Sequence, residues 1–321
     1  MSSLAQTKPN NQSTFLTKFF QQLRSYPARL KSYVIAFTSI AFWIVIWQGL
    51  AQFKVNLGFV NFSNVPTPLD VIHALWAFFQ LSAAFEHVES SVFRVVIGFV
   101  LAALIGVGIG LLAGRYQKLA AFLMPPLEVL RPIPAVAWIP LAILIFPSSE
   151  ASMIFITFIG ALFPILLNTV HGVGAVDPRL VASAKSLGAS DLAIIHEVII
   201  PGALPNIITG LSIGMGTCWF CLVTAEMISG QHGIGYFTWE SFTLQNYSNI
   251  VVGMVLIGAL GMFSSTLVRV IGNRFTPILH KYKNQTIRLN YQRLRLQSHV
   301  SCYVFLPEYM SYYFHHFVDK N

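Results

Sequence analysis

Six stretches of the chain are apolar for long enough to cross a lipid bilayer as helices. A hydrocarbon core of ~30 Å takes about 20 helical residues to cross. The stretches lie near residues 34–53, 92–113, 120–146, 151–173, 204–228 and 250–270. The pattern therefore predicts an all-α integral membrane protein with about six transmembrane helices.

Two further segments are patterned differently. Residues 66–89 are amphipathic, with a helix start at Pro68-Leu-Asp70, and we expect them to lie at the outer membrane interface. The loop between the fourth and fifth stretches is too polar to cross a bilayer.

Composition agrees with a membrane protein. Of the 321 residues, 55% are hydrophobic and 10% are charged, whereas a soluble domain carries about 25% charge. The net charge of +8 does not favour nucleic-acid binding, because the basic residues cluster beside apolar stretches and at the chain ends. The bilayer is the predicted solvent.

The basic residues predict the orientation. They gather in alternate segments: five in residues 1–31, then Arg115 and Lys118, then Arg179 and Lys185, and finally Arg274, Lys281 and Lys283. The intervening loops hold Lys54 alone, with none in 147–150 or 229–249. By the positive-inside rule both termini are cytoplasmic, and so is the polar loop. Residues 1–31 are polar without an early apolar core, so no cleavable signal peptide is expected.

Prolines interrupt the third stretch at 125, 126, 132, 134 and 140. In lipid a broken helix survives only where protein or a water-filled cavity covers it. Glu128 and Arg131 sit beside the break at i and i+3, so they form either a structural ion pair or part of a translocation pathway. The candidate pathway residues are Glu128, Arg131, Pro132, Pro134, Arg94 and Glu226. A half-helix after Pro134 would present free N–H groups that favour anions.

Small residues recur every fourth position in the second stretch, from Gly98 to Gly114. Such spacing lets helix backbones approach closely. The favoured interpretation is packing within one subunit, and the alternative is a contact between two subunits.

We do not expect the chain to catalyse a reaction or to bind a metal ion or a cofactor. The histidines show no metal-ligand spacing, so no metal site is predicted. The chain has no G-x-x-x-x-G-K-[ST] motif, so ATP is not bound through a phosphate-binding loop. We predict no catalytic residue and no cofactor.

The polar loop carries the most specific motif, Ala182-Ser-Ala-Lys-Ser-Leu-Gly188, followed thirteen residues later by Pro201. It resembles the cytoplasmic loop of ABC-importer permeases, with Ala182 where the family usually has Glu. Other stretches add to the resemblance: Val65-Pro-Thr-Pro68, Leu130-Arg-Pro-Ile-Pro-Ala-Val-Ala-Trp-Ile-Pro140, Ala225-Glu-Met227 and Gly233-Ile-Gly-Tyr236. As a set they look like the permeases of nitrate, sulfonate, taurine and bicarbonate importers.

The resemblance implies a type I importer permease with the MetI-like fold, in a bacterial plasma (inner) membrane. It implies two permeases (two copies or a close paralogue), separate ATPase subunits that bind ATP, and a periplasmic or lipid-anchored solute-binding protein. The coupling-loop candidates are Asp177, Ala182, Ala184, Lys185, Gly188, Glu197 and Pro201. Gly188 is then the turn between short helices near 177–185 and 190–197.

The expected organisation is a cytoplasmic arm at 1–33, a permease domain at 34–275 and a cytoplasmic tail at 276–321. The core of the domain is about 90–275, with the coupling loop at 177–201. The expected function is ATP-driven import of a small oxyanion by a subunit that is not itself an enzyme. The alternatives are a stand-alone secondary transporter or channel, and a membrane scaffold that transports nothing.

Overall fold

The computed structural model describes residues 28–59 and 61–275. The predicted arm at 1–33 and tail at 276–321 therefore lie largely or wholly outside the described residues. The helices of the described part, in chain order, are α1 (Ala28–Gln52), α2 (Pro68–Gln80), α3 (Ala83–Arg115), α4 (Gln117–Leu130), α5 (Ile139–Ile145), α6 (Ser149–Gly174), α7 (Pro178–Ser186), α8 (Asp191–Ile194), α9 (Ile200–Ser229), α10 (Ile234–Thr243) and α11 (Tyr247–Arg274). The all-α membrane architecture is confirmed.

Within residues 28–59 and 61–275, five helical segments are long and apolar enough to cross a membrane, or six if one bent pair counts as a span. The bent pair is the predicted third span. It divides into Gln117–Leu130 and Ala135–Ile145, which meet at 86°. The span is therefore not one continuous crossing helix.

The helix does not break at the first prolines of the stretch. Pro125 and Pro126 lie inside α4, which continues to Leu130. The chain turns only over 131–134, and a 3₁₀ turn at Ala135–Trp138 then leads into α5. Pro132 and Pro134 lie in this turn, where each restricts the residue before it to extended conformations.

The structure divides into two units. In the first, whose described residues are 28–59, 61–102, 130–162 and 215–263, helix α2 packs its Val71 and Phe78 against Phe237 of α10. The rings of Phe78 and Phe237 lie 4.8 Å apart between centroids. The buried face of α2 is therefore covered by protein.

The predicted helix start at Pro68 is confirmed. Thr67 caps α2 in a capping box with Asp70, whose carboxylate accepts from the Thr67 N–H at 3.0 Å. Hydrogen bonds from Thr67 hold the pKa of the Asp70 carboxyl below its usual value. The predicted amphipathic segment at 66–89 is two elements rather than one, because Leu81 is extended and α3 begins at Ala83.

The small residues of α3 serve packing within the chain. A Cβ at Gly98 would lie 2.8 Å from Thr157 of α6 in the first unit. In the second unit, whose described residues are 103–129, 163–214 and 264–275, a Cβ at Gly110 would lie 2.6 Å from Thr169, and one at Gly114 equally close to Val173. These glycines let the backbone of α3 approach α6 closely, which supports the intrachain interpretation.

Candidate coupling segment and buried polar cluster

The coupling segment, residues 177–201, begins with a well-capped helix in the second unit. Asp177 is the N-cap of α7, and its carboxylate accepts from the Arg179 N–H at 2.9 Å. Pro178 takes the first helical position, where its missing N–H costs nothing. The sequence therefore fixes where the helix starts.

Helix α7 ends in a Schellman turn at Gly188. The Gly188 N–H donates to the Lys185 carbonyl at 3.0 Å, and the Ala189 N–H donates to the Ala184 carbonyl at 3.1 Å. Gly188 has φ of +83°, in the left-handed region that glycine adopts without a steric penalty. Gly188 is the turn that the sequence predicts.

The second half of the segment leads directly into a membrane-crossing helix. Ser190 caps α8, accepting from the Ala193 N–H at 3.3 Å. A π-helical turn over Ile195–Ile199 then joins α8 to α9. The predicted separate short helix at 190–197 is therefore the start of one helical run, Asp191–Ser229.

Pro201 explains the π-helical turn. A proline in a helix lacks an N–H and its ring collides with the carbonyl four residues earlier, which here belongs to Glu197. In the structure the Ile200 N–H donates to the Ile195 carbonyl, five residues back, so the turn is widened just before the proline. The helix thereby continues through Pro201.

The segment is anchored on one side. Ile194 and Ile199 are buried in a cluster with Val173 of α6 and Ile207 of α9. Asp191 lies 3.6 Å from the Arg115 guanidinium at the end of α3. The segment is thus held against the ends of the membrane-crossing helices of its own unit.

The exposed residues of the segment are mostly polar, but three of them are large apolar side chains. We call these three the docking leucines: Leu180, Leu187 and Leu192. Leu187 is 88% exposed. Ala182 and Lys185 are also exposed between them. Exposed apolar groups rimmed by polar residues are typical of a protein interaction site.

A second polar site lies in the first unit, around the Glu226 carboxylate of α9. Its side chain is 0% exposed. The carboxylate accepts from the Ser91 hydroxyl at 2.8 Å, from the Arg94 Nη1 at 2.8 Å and from the Gly235 N–H at 2.9 Å. These donors satisfy a charge that would otherwise be costly to bury.

Arg94 joins this carboxylate to a second one. It is 2% exposed, and its Nε donates to Glu150 of α6 at 2.8 Å while Nη2 forms an ion pair with the same carboxylate. Nη1 also donates to the His232 carbonyl at 2.6 Å. Glu150 is 56% exposed, so the ion-pair chain runs from a closed interior to an open surface.

The loop that leads into α10 closes the cluster. Gly233 has φ of +135°, and its N–H donates to His87 Nδ1 at 3.1 Å. A Cβ on Gly233 would overlap the Glu226 carboxylate. The Ile234 N–H donates to the Ser91 hydroxyl at 2.9 Å, so two helix-start N–H groups of α10 are tied to α3.

The sequence-predicted residues separate into different places. Arg94 and Glu226 meet in the buried cluster, whereas Glu128, Arg131, Pro132 and Pro134 are exposed. The ion pairs of residues 28–59 and 61–275 include neither Glu128 nor Arg131. In the coupling segment Asp177, Lys185, Glu197 and Pro201 are exposed and Ala184 is half-buried.

Sequence reasoning did not single out Glu150, Ser91 or His87. Glu150 alone carried a usable signal, because it is the one acidic residue beside the apolar stretch 151–173. Nothing in the sequence indicates that it meets Arg94, which lies 56 residues earlier.

Known proteins resemble this chain over most of its length. The family model described as binding-protein-dependent transport system inner membrane component matches residues 106–280. A putative ABC transporter permease protein of Methanocaldococcus jannaschii is 36% identical, over 76% of this chain and 92% of its own. The putative aliphatic sulfonates transport permease protein SsuC of Bacillus subtilis is 31% identical, over 75% and 86%.

Two further matches extend the comparison. The nitrate import permease protein NrtB of Leptolyngbya laminosa is 31% identical, over 75% of this chain and 87% of its own. A chain from a structure of the MetNI methionine ABC transporter in inward-facing conformations is 18% identical with a TM-score of 0.47, over 60% and 93%. By its family match and these relatives, the chain belongs to the binding-protein-dependent transport system inner membrane components, the permease subunits of ABC importers.

Proposed function

We propose that the chain forms a translocation pathway for a small oxyanion and is driven by separate ATPase subunits that dock on the coupling segment. The named relatives support the substrate class, since one imports nitrate and another transports aliphatic sulfonates. The ATPase is a partner because the sequence has no phosphate-binding loop of its own.

The docking leucines carry the proposal. Leu180, Leu187 and Leu192 are exposed, whereas Ile194 and Ile199 of the same segment are buried against the rest of the chain. An exposed apolar group is stabilised when a partner removes it from water, by about 25 cal/mol for each Å² buried. An anchored segment also transmits movement, because α8 continues into the membrane-crossing helix α9 without an interruption.

The proposed topology places this segment in the cytoplasm together with both termini. The alternating distribution of Lys and Arg supports it. Within the second unit, the Arg115–Asp191 contact brings the basic turn after α3 to the coupling segment. Two loops that the charge rule assigns to the same side therefore lie together.

The proposed assembly contains two permeases, the ATPase subunits and a solute-binding protein that delivers the anion from outside. The family description supports the binding protein, since it calls these transport systems binding-protein-dependent. Within the pathway, Arg131 is our proposed anion contact at the proline turn. It is exposed, and no ion pair of the described residues neutralises it.

The test is copurification of the ATPase subunit with variants of the full chain. Leu187→Glu places a charge among the docking leucines, and we expect the ATPase to be lost from the complex. Leu57→Glu is the matched control, because Leu57 is also exposed in a segment between helices but lies at the proposed outer side. Equal ATPase recovery with both variants, at equal membrane expression, would contradict the proposed docking site.

A further inference from the structure

A cavity of about 710 Å³ lies in the first unit, between the end of α1, the segment that leads into α2 and the start of α11. Its wall is largely polar, with the side chains of Gln52, Asn64 and Gln245 among the neutral groups. At about 30 Å³ for each water molecule, the space corresponds to roughly 24 waters. It is therefore large enough for a lipid headgroup, and larger than one small ion requires.

Two opposite charges line this cavity without neutralising each other. Lys54 is the cation of its wall and Asp70 the anion, and the ion pairs found among residues 28–59 and 61–275 include neither. The Oδ2 of Asp70 accepts from the N–H and the hydroxyl of Thr67, which leaves Oδ1 available. A simple anion would meet the Asp70 carboxylate, and a simple cation would meet the Lys54 ammonium. The ligand that fits the wall carries both charges.

Lys54 and Gln245 each end a helix in a conformation that glycine adopts more easily. Their φ angles are +46° and +57°, and they are the non-glycine residues with positive φ in the part of the chain that the structure describes. Each closes its helix with the pair of hydrogen bonds that Gly188 and the residue after it make at the end of α7. Glycine would favour these turns, so the turns do not account for the two side chains. A ligand in the cavity does, because both side chains line it.

The start of α11 adds donors to the same wall. Tyr247 and Ser248 line the cavity, and their N–H groups have no hydrogen-bond partner among the described residues, as is usual in the first turn of a helix. Together with the ammonium of Lys54 and the amide of Gln245, these groups suit the oxygens of a phosphate. The free Oδ1 of Asp70 suits an ammonium.

The position of the cavity matches the level of lipid headgroups. It adjoins the last residues of α1 and the first residues of α11, where the apolar stretches near 34–53 and 250–270 end. Val45 precedes Gln52 by about two turns on the same face of α1, and its side chain is 69% exposed. Hydrocarbon chains attached to a headgroup in the cavity therefore have an apolar helix face to pack on.

We propose that this cavity binds the headgroup of one phospholipid that carries both a phosphate and an ammonium, a phosphatidylethanolamine by class. The phosphate binds Lys54 and the N–H groups at the start of α11, and the ammonium binds Asp70. This site goes beyond the proposed transport function, because it holds a lipid that is not transported. Free phosphoethanolamine presents the same two charges, and the experiment separates the two sources.

The first measurement is the lipid that remains bound to the full chain, read by native mass spectrometry after purification from vesicles with equal phosphatidylethanolamine and phosphatidylglycerol. The wild-type chain should retain phosphatidylethanolamine in preference, since phosphatidylglycerol has no ammonium for Asp70. We expect Lys54→Gln to lower this retention about tenfold, the loss of one charge-assisted hydrogen bond. Lys118→Gln is the matched control, an exposed lysine outside the cavity, and should retain lipid as the wild type does.

Two further variants separate lipid binding from folding. Asp70→Asn removes the partner of the ammonium, so the preference should shift towards phosphatidylglycerol, which a purely structural role of Asp70 would not cause. Gln245→Gly relieves the left-handed conformation, so the melting temperature of the lipid-depleted chain should not fall while lipid retention does. A lower melting temperature in Gln245→Gly would contradict the conformational argument, and an unchanged preference in Asp70→Asn would contradict the ammonium contact.

The remaining outcomes decide between the sources. Equal retention of phosphatidylethanolamine by the wild type, Lys54→Gln and Lys118→Gln overturns the site. Stabilisation of the lipid-depleted chain by soluble phosphoethanolamine, but not by phosphatidylethanolamine at the same concentration, assigns the site to a soluble molecule and overturns the lipid assignment. Loss of the copurifying solute-binding protein in Lys54→Gln, with lipid retention unchanged, assigns the cavity to a protein contact and also overturns the proposal.

Discussion

Arg94 and Glu226 form an ion pair that is closed off from solvent, with Nη1 2.8 Å from Oε1. The two residues are 132 positions apart, on α3 and α9. Because Glu226 also accepts from the Gly235 N–H, the pair ties the start of α10 to two membrane-crossing helices. Glu226 has Arg94 as its cation, whereas Arg94 is also paired with Glu150.

Removing the charge of Arg94 should destabilise the protein more than removing the charge of Glu226. Arg94→Gln leaves the buried Glu226 without its cation and also releases Glu150, whereas Glu226→Gln leaves Arg94 paired with Glu150. Breaking a buried pair costs about 3–5 kcal/mol. We expect thermal unfolding of the purified chain to show the larger loss for Arg94→Gln.

The double variant Arg94→Gln with Glu226→Gln tests whether the two charges stabilise each other. It should recover part of the stability lost in Arg94→Gln, because no unpaired charge then remains in the interior. Strictly additive losses of stability would contradict an interaction between the two charges, and would favour separate roles for Arg94 and Glu226 in the pathway.

Gly233→Ala should disrupt the same cluster by collision. The new Cβ would overlap the Glu226 carboxylate, in a backbone conformation with φ of +135°. Gly58→Ala is the control for a positive φ without a collision, because Gly58 has φ of +84° and open space around its Cβ position. The melting temperature should fall clearly for Gly233→Ala, where the collision adds to the strain of a conformation that is essentially restricted to glycine, and little for Gly58→Ala. Similar shifts would contradict a collision with the carboxylate.

Substitutions of Gly188 test the role of backbone conformation in the coupling segment, apart from the role of side-chain contacts. Its φ is +83° and a Cβ would meet nothing within 4 Å, so a substitution acts through the backbone alone. The left-handed conformation costs about 1–2 kcal/mol for most residues but is accessible to Asn. Gly188→Asn should therefore keep ATPase binding and coupled hydrolysis, and Gly188→Val should weaken both. Normal coupling of ATP hydrolysis to transport in Gly188→Val would show that coupling does not depend on the turn at Gly188.

Gly110 and Gly108 test the packing of α3 on α6. Ala favours a helix interior over Gly by about 1 kcal/mol, so Gly108→Ala, with nothing within 4 Å of its Cβ, should be neutral or stabilising. Gly110→Ala should be destabilising in spite of that preference, since its Cβ lies 2.6 Å from Thr169. Equal melting temperatures for the two variants would contradict a close contact at Gly110.

The features set by local chemistry were predictable from the sequence. The start of α2 at Pro68 depends on residues within a few positions, whose conformational limits are known. The prolines predicted an interruption of the third stretch, but not its position at 131–134. The turn at Gly188 was predicted from the family resemblance, and its positive φ is one that glycine adopts readily. The number of apolar stretches followed from length and composition alone.

The features set by distant residues were not predictable. The partners of Arg94 lie 56 and 132 residues away, and spacing says nothing about which helices are neighbours. The continuation of α8 into α9 was missed because a short helix near 190–197 was expected apart from the apolar stretch near 204–228, whereas a π-helical turn joins the two. The exposure of the docking leucines could not be predicted, because it depends on which side of the coupling segment packs against the rest of the chain.

The most direct test of the account is solute uptake into vesicles that contain the chain with or without its partners. We predict that labelled nitrate, bicarbonate or taurine accumulates only when the ATPase subunits, ATP and the solute-binding protein are all present, and that Leu187→Glu abolishes this uptake while Leu57→Glu does not. Accumulation driven by an ion gradient in vesicles that contain this chain alone would contradict the account and identify a self-sufficient transporter.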